Sequence, residues 1–192
     1  MDMEFNVSGL MKELVGAKRS YEFGMPALPL SVPLEGDADA VVARGVHGTI
    51  TLTRLRGQVR AVGQVQAQVT LECGRCLEPF TSTIVAPLDE LFQQTVDVVS
   101  GTALVPAGDD DELFPIDHNH ILDLTEPVRQ ALLVSLPMRP LHSEACRGLC
   151  PHCGANLNLT ACDCPTEELD PRLAVLGRLL ADADLGEGPA PP

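Results

Sequence analysis

"GQVQAQVTLEC", residues 63–73, sets Val65, Ala67, Val69 and Leu71 against Gln64, Gln66, Gln68 and Thr70. A strict period of two is the mark of a β-strand with one face buried and the other wet. The phase extends back through Val59 and Ala61. Further upstream Val46, Ile50 and Leu52 alternate on even positions, and the change of phase falls at "TRLRG", where Gly57 permits a turn. The reading is a long hairpin with a basic tip. Beyond Cys76, Phe80, Ile84 and Ala86 against Thr81 and Thr83 give a third strand, so "CGRC" at 73–76 falls at the turn between two antiparallel strands.

Outward from this meander, residues 100–112, "SGTALVPAGDDDE", read as a mobile acidic loop, because small, Pro, Gly and Asp residues bury too little to offset the entropy of ordering. "DLTEPVRQALLVSLP" then has Thr125 as an N-cap, Pro127 in the first turn, and Val128, Ala131, Leu132 and Leu136 at helical spacing before Pro137 stops it. This helix should pack on the sheet. A last helix should start at Asp170, with Pro171 in the first helical position. The expected fold class is α+β: an antiparallel meander or partial barrel with packed helices over 1–140, a cysteine-rich metal module with a C-terminal helix over 141–183, and a disordered tail over 184–192.

The chain has 192 residues, 45% of them hydrophobic, enough for a real core. Its opening, "MDMEFNVSGL", is acidic and lacks an uninterrupted apolar run, so a cytoplasmic protein with no membrane segment is expected. The formal charge of −14 is unevenly spread. Arg44, Arg54, Arg56, Arg60 and Arg75 face the single acid Glu72 within 44–75, whereas Val85 to Glu126 holds no Lys or Arg. That asymmetry suggests two faces with different partners.

Seven cysteines, an odd number, argue in a reducing compartment against a disulfide framework and for metal ligation or reactive thiols. "CPHCG" at 150–154 has the form of a zinc knuckle, two thiolates three positions apart on a tight turn. "CDC" at 162–164 supplies two more vertices of a tetrahedron, so Cys150, Cys153, Cys162 and Cys164 form the preferred Zn2+ set. Cys73, Cys76 and Cys146 remain; with His142 they are candidates for a second site, although "CGRC" could equally complete the first in place of "CDC". The spacing permits both partitions, and buried apolar thiols remain the plain alternative for those three. A thiol-exchange role for "CGRC" fits poorly between two strands, since such chemistry draws its low thiol pKa from a helix N-terminus. His118-Asn119-His120 reads as a satisfied or exposed surface pair. No phosphate-cradling glycine loop, catalytic triad or small-molecule site stands out.

"VTLECGRCLEPF", "LTEPVRQALLVSLPMRPLHSEAC", "CRGLCPHCGANLNLTACDC" and "DPRLAVLGRLL" occur in an order that resembles the bacterial YceD family, the large ribosomal RNA subunit accumulation proteins, over about residues 40–180. Some members of that family keep "CxxC" and a cysteine like Cys146 but lack "CPHCG" and "CDC", which implies that the second cluster is not needed for what all members do. The resemblance implies a non-enzymatic role in making or accumulating large-subunit ribosomal RNA.

The charge pattern limits how RNA could be met. Phosphate binding is driven by Lys and Arg, so an overall charge of −14 leaves only the arginine-rich hairpin, with Arg54, Arg56, Arg60 and Arg75 as candidate RNA contacts. With one Tyr and no Trp, a base-stacking platform is not expected. The alternatives are an acidic adaptor or chaperone for a basic ribosomal protein and, third, a thiol oxidoreductase.

Overall fold

The computed structural model describes residues 3–30, 41–104 and 113–164, with Leu176 alone beyond them. The chain divides into two units, Met1–Cys146 and Arg147–Pro192. Residues 141–146, which the sequence reading grouped with the cysteine-rich module, thus belong to the first unit. The helix expected from Asp170, the tail 184–192 and residues 105–112 of the acidic loop lie outside the described residues.

In chain order the first unit contains β1 (Glu4–Asn6), α1 (Ser8–Lys12), β2 (Lys18–Pro29), β3 (Val42–Arg54), β4 (Gln58–Glu72), β5 (Pro79–Gln94), β6 (Phe114–Ile116), β7 (Ile121–Asp123) and α2 (Thr125–Val134). β2, β3, β4 and β5 run as an antiparallel meander, and β6 joins β5 in parallel. β1 pairs with β7 in a separate two-stranded sheet. The meander is as the alternation of residues 59–86 requires. The rest of the expected class needs correcting: the larger sheet is open, with β2 and β6 at its edges, and the described helices are short, so the unit is mostly β.

β4 is the spine of the sheet. Its odd residues Val59, Ala61, Val65, Ala67 and Val69 are fully or almost fully buried, while Arg60, Gln64, Gln66 and Gln68 are exposed. β5 follows it in unbroken register from Gln58↔Gln93 to Glu72↔Pro79 and buries Ile84, Ala86, Leu88 and Phe92. On β3 the buried phase switches from Ala43 to Val46, Ile50 and Leu52, because a bulge between Arg44 and His47 inserts one extra residue. At Gly63 the strands come so close that a Cβ would lie 2.1 Å from the Thr49 carbonyl oxygen, so only glycine fits there.

α1 contributes Leu10 and Met11, and α2 contributes Val128 and Leu132, to the same core as the inner face of the meander. Leu122 and Leu124 seal it from the β7 side. Each such side chain stabilises the fold by about 1.5–3 kcal/mol on full burial. α2 begins as the spacing suggested, but Thr125 is its first helical residue and not its cap: the N-cap position is Leu124, with no side-chain cap bond, and Asp123 Oδ1 accepts from the Thr125 N–H at 2.8 Å. The start of the expected mobile loop is also a defined turn, in which Asp97 Oδ1 accepts from the N–H groups of Val99 and Ser100.

Candidate metal centres

The turn between β4 and β5 is built for two converging sulfurs. Cys73 N–H donates to Glu78 O at 3.0 Å and Leu77 N–H to Cys73 O at 2.9 Å, and Leu77 takes a φ of 61° to close the loop. Cys73 and Cys76 are thereby held on one side of a tight turn, both buried. The segment after α2 is pinned against it. Gly74 N–H donates to Pro140 O at 2.8 Å, and Arg75 Nη1 donates to the carbonyls of Glu144 (3.1 Å) and Cys146 (2.9 Å).

These bonds bring His142 and Cys146 to the turn. Cys73 Sγ lies 3.8 Å from Cys146 Sγ, and Cys76 Sγ lies 3.4 Å from His142 Nδ1. All four ligand atoms lie within 4.8 Å of one another, so the group could hold a metal ion. Tetrahedral bonds of ~2.3 Å to sulfur and ~2.0 Å to imidazole nitrogen put neighbouring ligand atoms ~3.5–3.8 Å apart, so the observed spacings suit one central ion.

The second unit assembles the other group. Gly154 N–H donates to Cys150 O at 2.9 Å, closing the knuckle turn, and Cys150 N–H donates to Ala155 O at 2.8 Å. Leu157 N–H reaches Gly148 O at 2.9 Å, and Arg147 N–H reaches Asn158 Oδ1 at 2.8 Å, so the loop folds back on itself. Cys150, Cys153, Cys162 and Cys164 place their sulfurs within 4.8 Å of one another, so this group too could hold an ion. All seven cysteines are free thiols. Of the partitions the sequence left open, the geometry brings together the one that keeps "CPHCG" with "CDC".

The electrostatics are alike in both groups. Burial opposes ionisation of Cys73, but the backbone N–H groups of His142, Arg75 and Cys76, together with the His142 side chain, outweigh it and hold the thiol at about 5. The Glu78 N–H favours a Cys76 thiolate, yet burial and the sulfurs of Cys73 and Cys146 push that thiol up. In the other group the N–H groups of Cys153 and His152 lower Cys150 to about 6, whereas the sulfurs of Cys153 and Cys150 push Cys164 up to about 12. One thiolate forms readily and its charge resists the next. A dication at the centre would remove that conflict, because it would favour every thiolate at once.

The candidate RNA contacts are divided by the structure. Arg60 is engaged by Asp89 through two parallel bonds, Nε to Oδ1 at 2.8 Å and Nη2 to Oδ2 at 2.6 Å. Arg75 is turned inward to the carbonyls of the 140–146 segment. Arg54 is half-buried at the end of β3, and Arg56 is exposed in the turn that follows. Sequence reasoning did not foresee the inward role of Arg75, since nothing in its local pattern distinguishes a structural arginine from a surface one. His118 and His120 lie beside the β6–β7 turn, where the Asp117 carboxylate accepts from the N–H groups of Asn119 and Ile121. His118 is exposed, but His120 Nδ1 is buried without a hydrogen-bond partner, so the two are not an equivalent surface pair.

Among the described residues no helix is long and apolar enough to cross a membrane. No solved structure matches the chain. It is 33% identical over 140 residues to "Large ribosomal RNA subunit accumulation protein YCED homolog 1, chloroplastic" of Zea mays, covering 60% of this chain and 47% of that protein. The protein of the same name in Arabidopsis thaliana is 28% identical over 164 residues, covering 74% and 51%. An uncharacterized protein of Mycobacterium tuberculosis is 32% identical over 122 residues, covering 64% and 56%. The chain thus spans about half the length of the curated relatives it matches. Residues 61–180, which include both groups of side chains that could hold a metal ion, match the model of the large ribosomal RNA subunit accumulation protein YceD, and the chain belongs to the YceD family.

Proposed function

We propose that this protein is a non-enzymatic, zinc-stabilised factor that supports accumulation or assembly of large-subunit ribosomal RNA in the cytoplasm. The observation that carries the reading is the match of residues 61–180 to a family named for that accumulation. Zinc is the ion favoured by the donors, three thiols and an imidazole at Cys73, Cys76, His142 and Cys146 and four thiols at Cys150, Cys153, Cys162 and Cys164, since four-coordinate thiolate and imidazole sites are its structural preference. In each set four protein ligands would fill the tetrahedron and would leave no open position for a substrate, which supports a structural role over a catalytic one. The closing of "CGRC" by His142 and Cys146 likewise disfavours the oxidoreductase reading.

The adaptor reading rests on the acidic run, and the described part of that run is largely committed to internal partners. Asp89 holds Arg60, Asp97 and Asp117 accept N–H bonds within turns, Asp123 accepts from the first N–H of α2, and Glu126 holds Arg129. Direct contact with RNA is therefore preferred.

Depleting the protein in its own host and measuring the ratio of large- to small-subunit ribosomal RNA tests the role. The ratio should fall, and recover with the wild-type chain. An unchanged ratio overturns the proposal.

A further inference from the structure

Two turns far apart in sequence are joined at one end of the meander. Gly16 N–H donates to Arg54 O and Arg54 N–H to Ala17 O, each at 2.9 Å, tying the turn between α1 and β2 to the turn between β3 and β4. Lys18 sits opposite Thr53 in the ladder, one residue from Arg54, and Lys12 ends α1 just before the first turn. Lys12, Lys18 and Arg56 are exposed. Between the cations, Leu14 and Val15 project into solvent, 86% and 61% exposed.

Nearby acids do not neutralise this end. Glu13 is taken by Arg19 and Asp89 by Arg60. The end of β5 that meets the hairpin turn is neutral, Gln94 N–H donating to Gly57 O at 3.1 Å. Asp97, farther along, is occupied by the Val99 and Ser100 N–H groups.

We infer that this composite tip is an RNA-docking surface made by Lys12, Lys18, Arg54 and Arg56 around the exposed pair Leu14–Val15, and that its ligand is the phosphate backbone of double-helical segments in folded RNA. The choice of RNA rests on the proposed tie to ribosomal RNA; the site itself rests on the two joined turns. Arginine forks and lysine ammonium groups match phosphate oxygens and carry no sequence information. The tip holds no aromatic residue on which an unpaired base could stack, which favours helix backbone over single strands. Leu14 and Val15 then lie against the wide, shallow minor groove. The rest of the molecule, with a chain charge of −14, repels RNA, so contact is confined to the tip and made end-on. Two exposed apolar side chains on so acidic a chain are a weak anchor for an anionic membrane.

Binding of the full, metal-loaded chain to a labelled duplex RNA of arbitrary sequence, followed by anisotropy across ~50 to 200 mM salt, tests this. The double variants Lys12→Gln with Lys18→Gln, and Arg54→Gln with Arg56→Gln, should each flatten the plot of log affinity against log salt by roughly 1.4 to 1.8, about 0.7 to 0.9 for each lost contact. Arg44→Gln, on the same strand but away from the tip, should leave the slope unchanged, and single-stranded RNA of equal length should bind more weakly. Arg56→Glu, a single change at an exposed turn that alters the tip charge by as much as either double variant, provides a second readout and should weaken binding to a similar extent. Unchanged slopes in the tip variants, an equal effect of Arg44→Gln, or tip-dependent binding to anionic phosphatidylserine vesicles in place of RNA would each overturn the inference. If tip variants bind RNA normally while depletion still lowers large-subunit ribosomal RNA, the tip fails and the proposed function stands; an unchanged ratio on depletion with tip-dependent binding gives the reverse.

Discussion

Cys73 and Cys146 are 73 residues apart in sequence, and their sulfurs lie 3.8 Å apart. One stands at the end of the longest meander strand pairing, the other ends the segment that follows α2. Their meeting closes a loop containing β5, β6, β7 and α2, so an ion bound there would link both ends of that loop.

That relationship sets the expected metal content. The anaerobically purified chain should carry two zinc ions. Cys73→Ser should reduce the content to one by elemental analysis, Cys153→Ser should also reduce it to one, and the two together should leave none. A wild-type content of one, with both single variants metal-free, would mean that the two sets do not bind independently.

The two centres should differ in what their removal does. Among the described residues, those from Arg147 onward contribute nothing to the hydrophobic core, and Cys153 is exposed. With the proposed ion bound, their order would depend on turns and on that ion, since structural zinc in a small module supplies about 10–16 kcal/mol of apparent binding energy that is also folding energy. Cys73, Cys76 and Cys146, by contrast, sit in a unit with its own core, and Arg75 and Gly74 hold the segment in place by hydrogen bonds to carbonyls. A chelator should therefore abolish amide protection in residues 147–164 while β4 and β5 remain protected. Hydrogen exchange with and without chelator measures this, and simultaneous loss of both regions would contradict it.

The meander was legible because residues 59–71 have a single unbroken period and one wet face. The bulge at Arg44–His47 was not legible, since the alternation of Val46, Ile50 and Leu52 placed the change of phase at the "TRLRG" turn, and the opposite parity of Ala43 takes its meaning only from the pairing of β3 with β4. β2 left a signal in Tyr21, Phe23 and Met25, but with Pro26 and Pro29 close behind, that alternation is weak evidence for a strand. β1, β6 and β7 are three residues each, too short for any period to show. The ligand sets could be proposed from spacing, but their partition required the fold, because only the docking of residues 140–146 on the β4–β5 turn decides which sulfurs meet. The tip was half legible: Arg54 and Arg56 mark a turn, whereas the approach of Lys12 and Lys18 depends on the pairing of β2 with β3.

Gly63 should be the least replaceable glycine of the sheet. A Cβ there would lie 2.1 Å from Thr49 O and 2.9 Å from Ile50 Cα, both backbone atoms that cannot swing aside. Gly63→Ala should force β3 and β4 apart and cost several times the ~1 kcal/mol expected of an exposed strand substitution. Val62→Ala, next to it on the wet face, should stay near that smaller figure. Urea unfolding of the two variants makes the comparison, and equal midpoints would show that the strands can yield at Gly63.

Glu126 gives the fold a dependence on acid that can be followed apart from the thiols. Arg129 donates to both of its carboxylate oxygens, at 2.7 and 2.5 Å, and Gln130 adds a third bond at 2.8 Å. The Arg129 hydrogen bonds, followed by that of Gln130, hold the carboxyl at about 2, below its ordinary 4.5. Because the folded value is the depressed one, the contribution is complete above about 4.5 and is lost as pH falls toward about 2. The side chain is 48% exposed, so solvent screening keeps the effect near the ~0.5–1 kcal/mol of a good surface pair rather than the full value of the shift. Arg129 also donates to Leu30 O at 3.0 Å, so the pair helps fix the end of β2 to α2. Glu126→Gln should thus be less stable than wild type by up to ~1 kcal/mol near neutral pH, and the gap should narrow as the solution is taken below about 4.5. Loss of metal at low pH affects both proteins alike and cancels in the difference. A gap that stays constant across that range would mean that the stabilisation comes from hydrogen bonds a neutral Gln also makes, and not from the carboxylate charge.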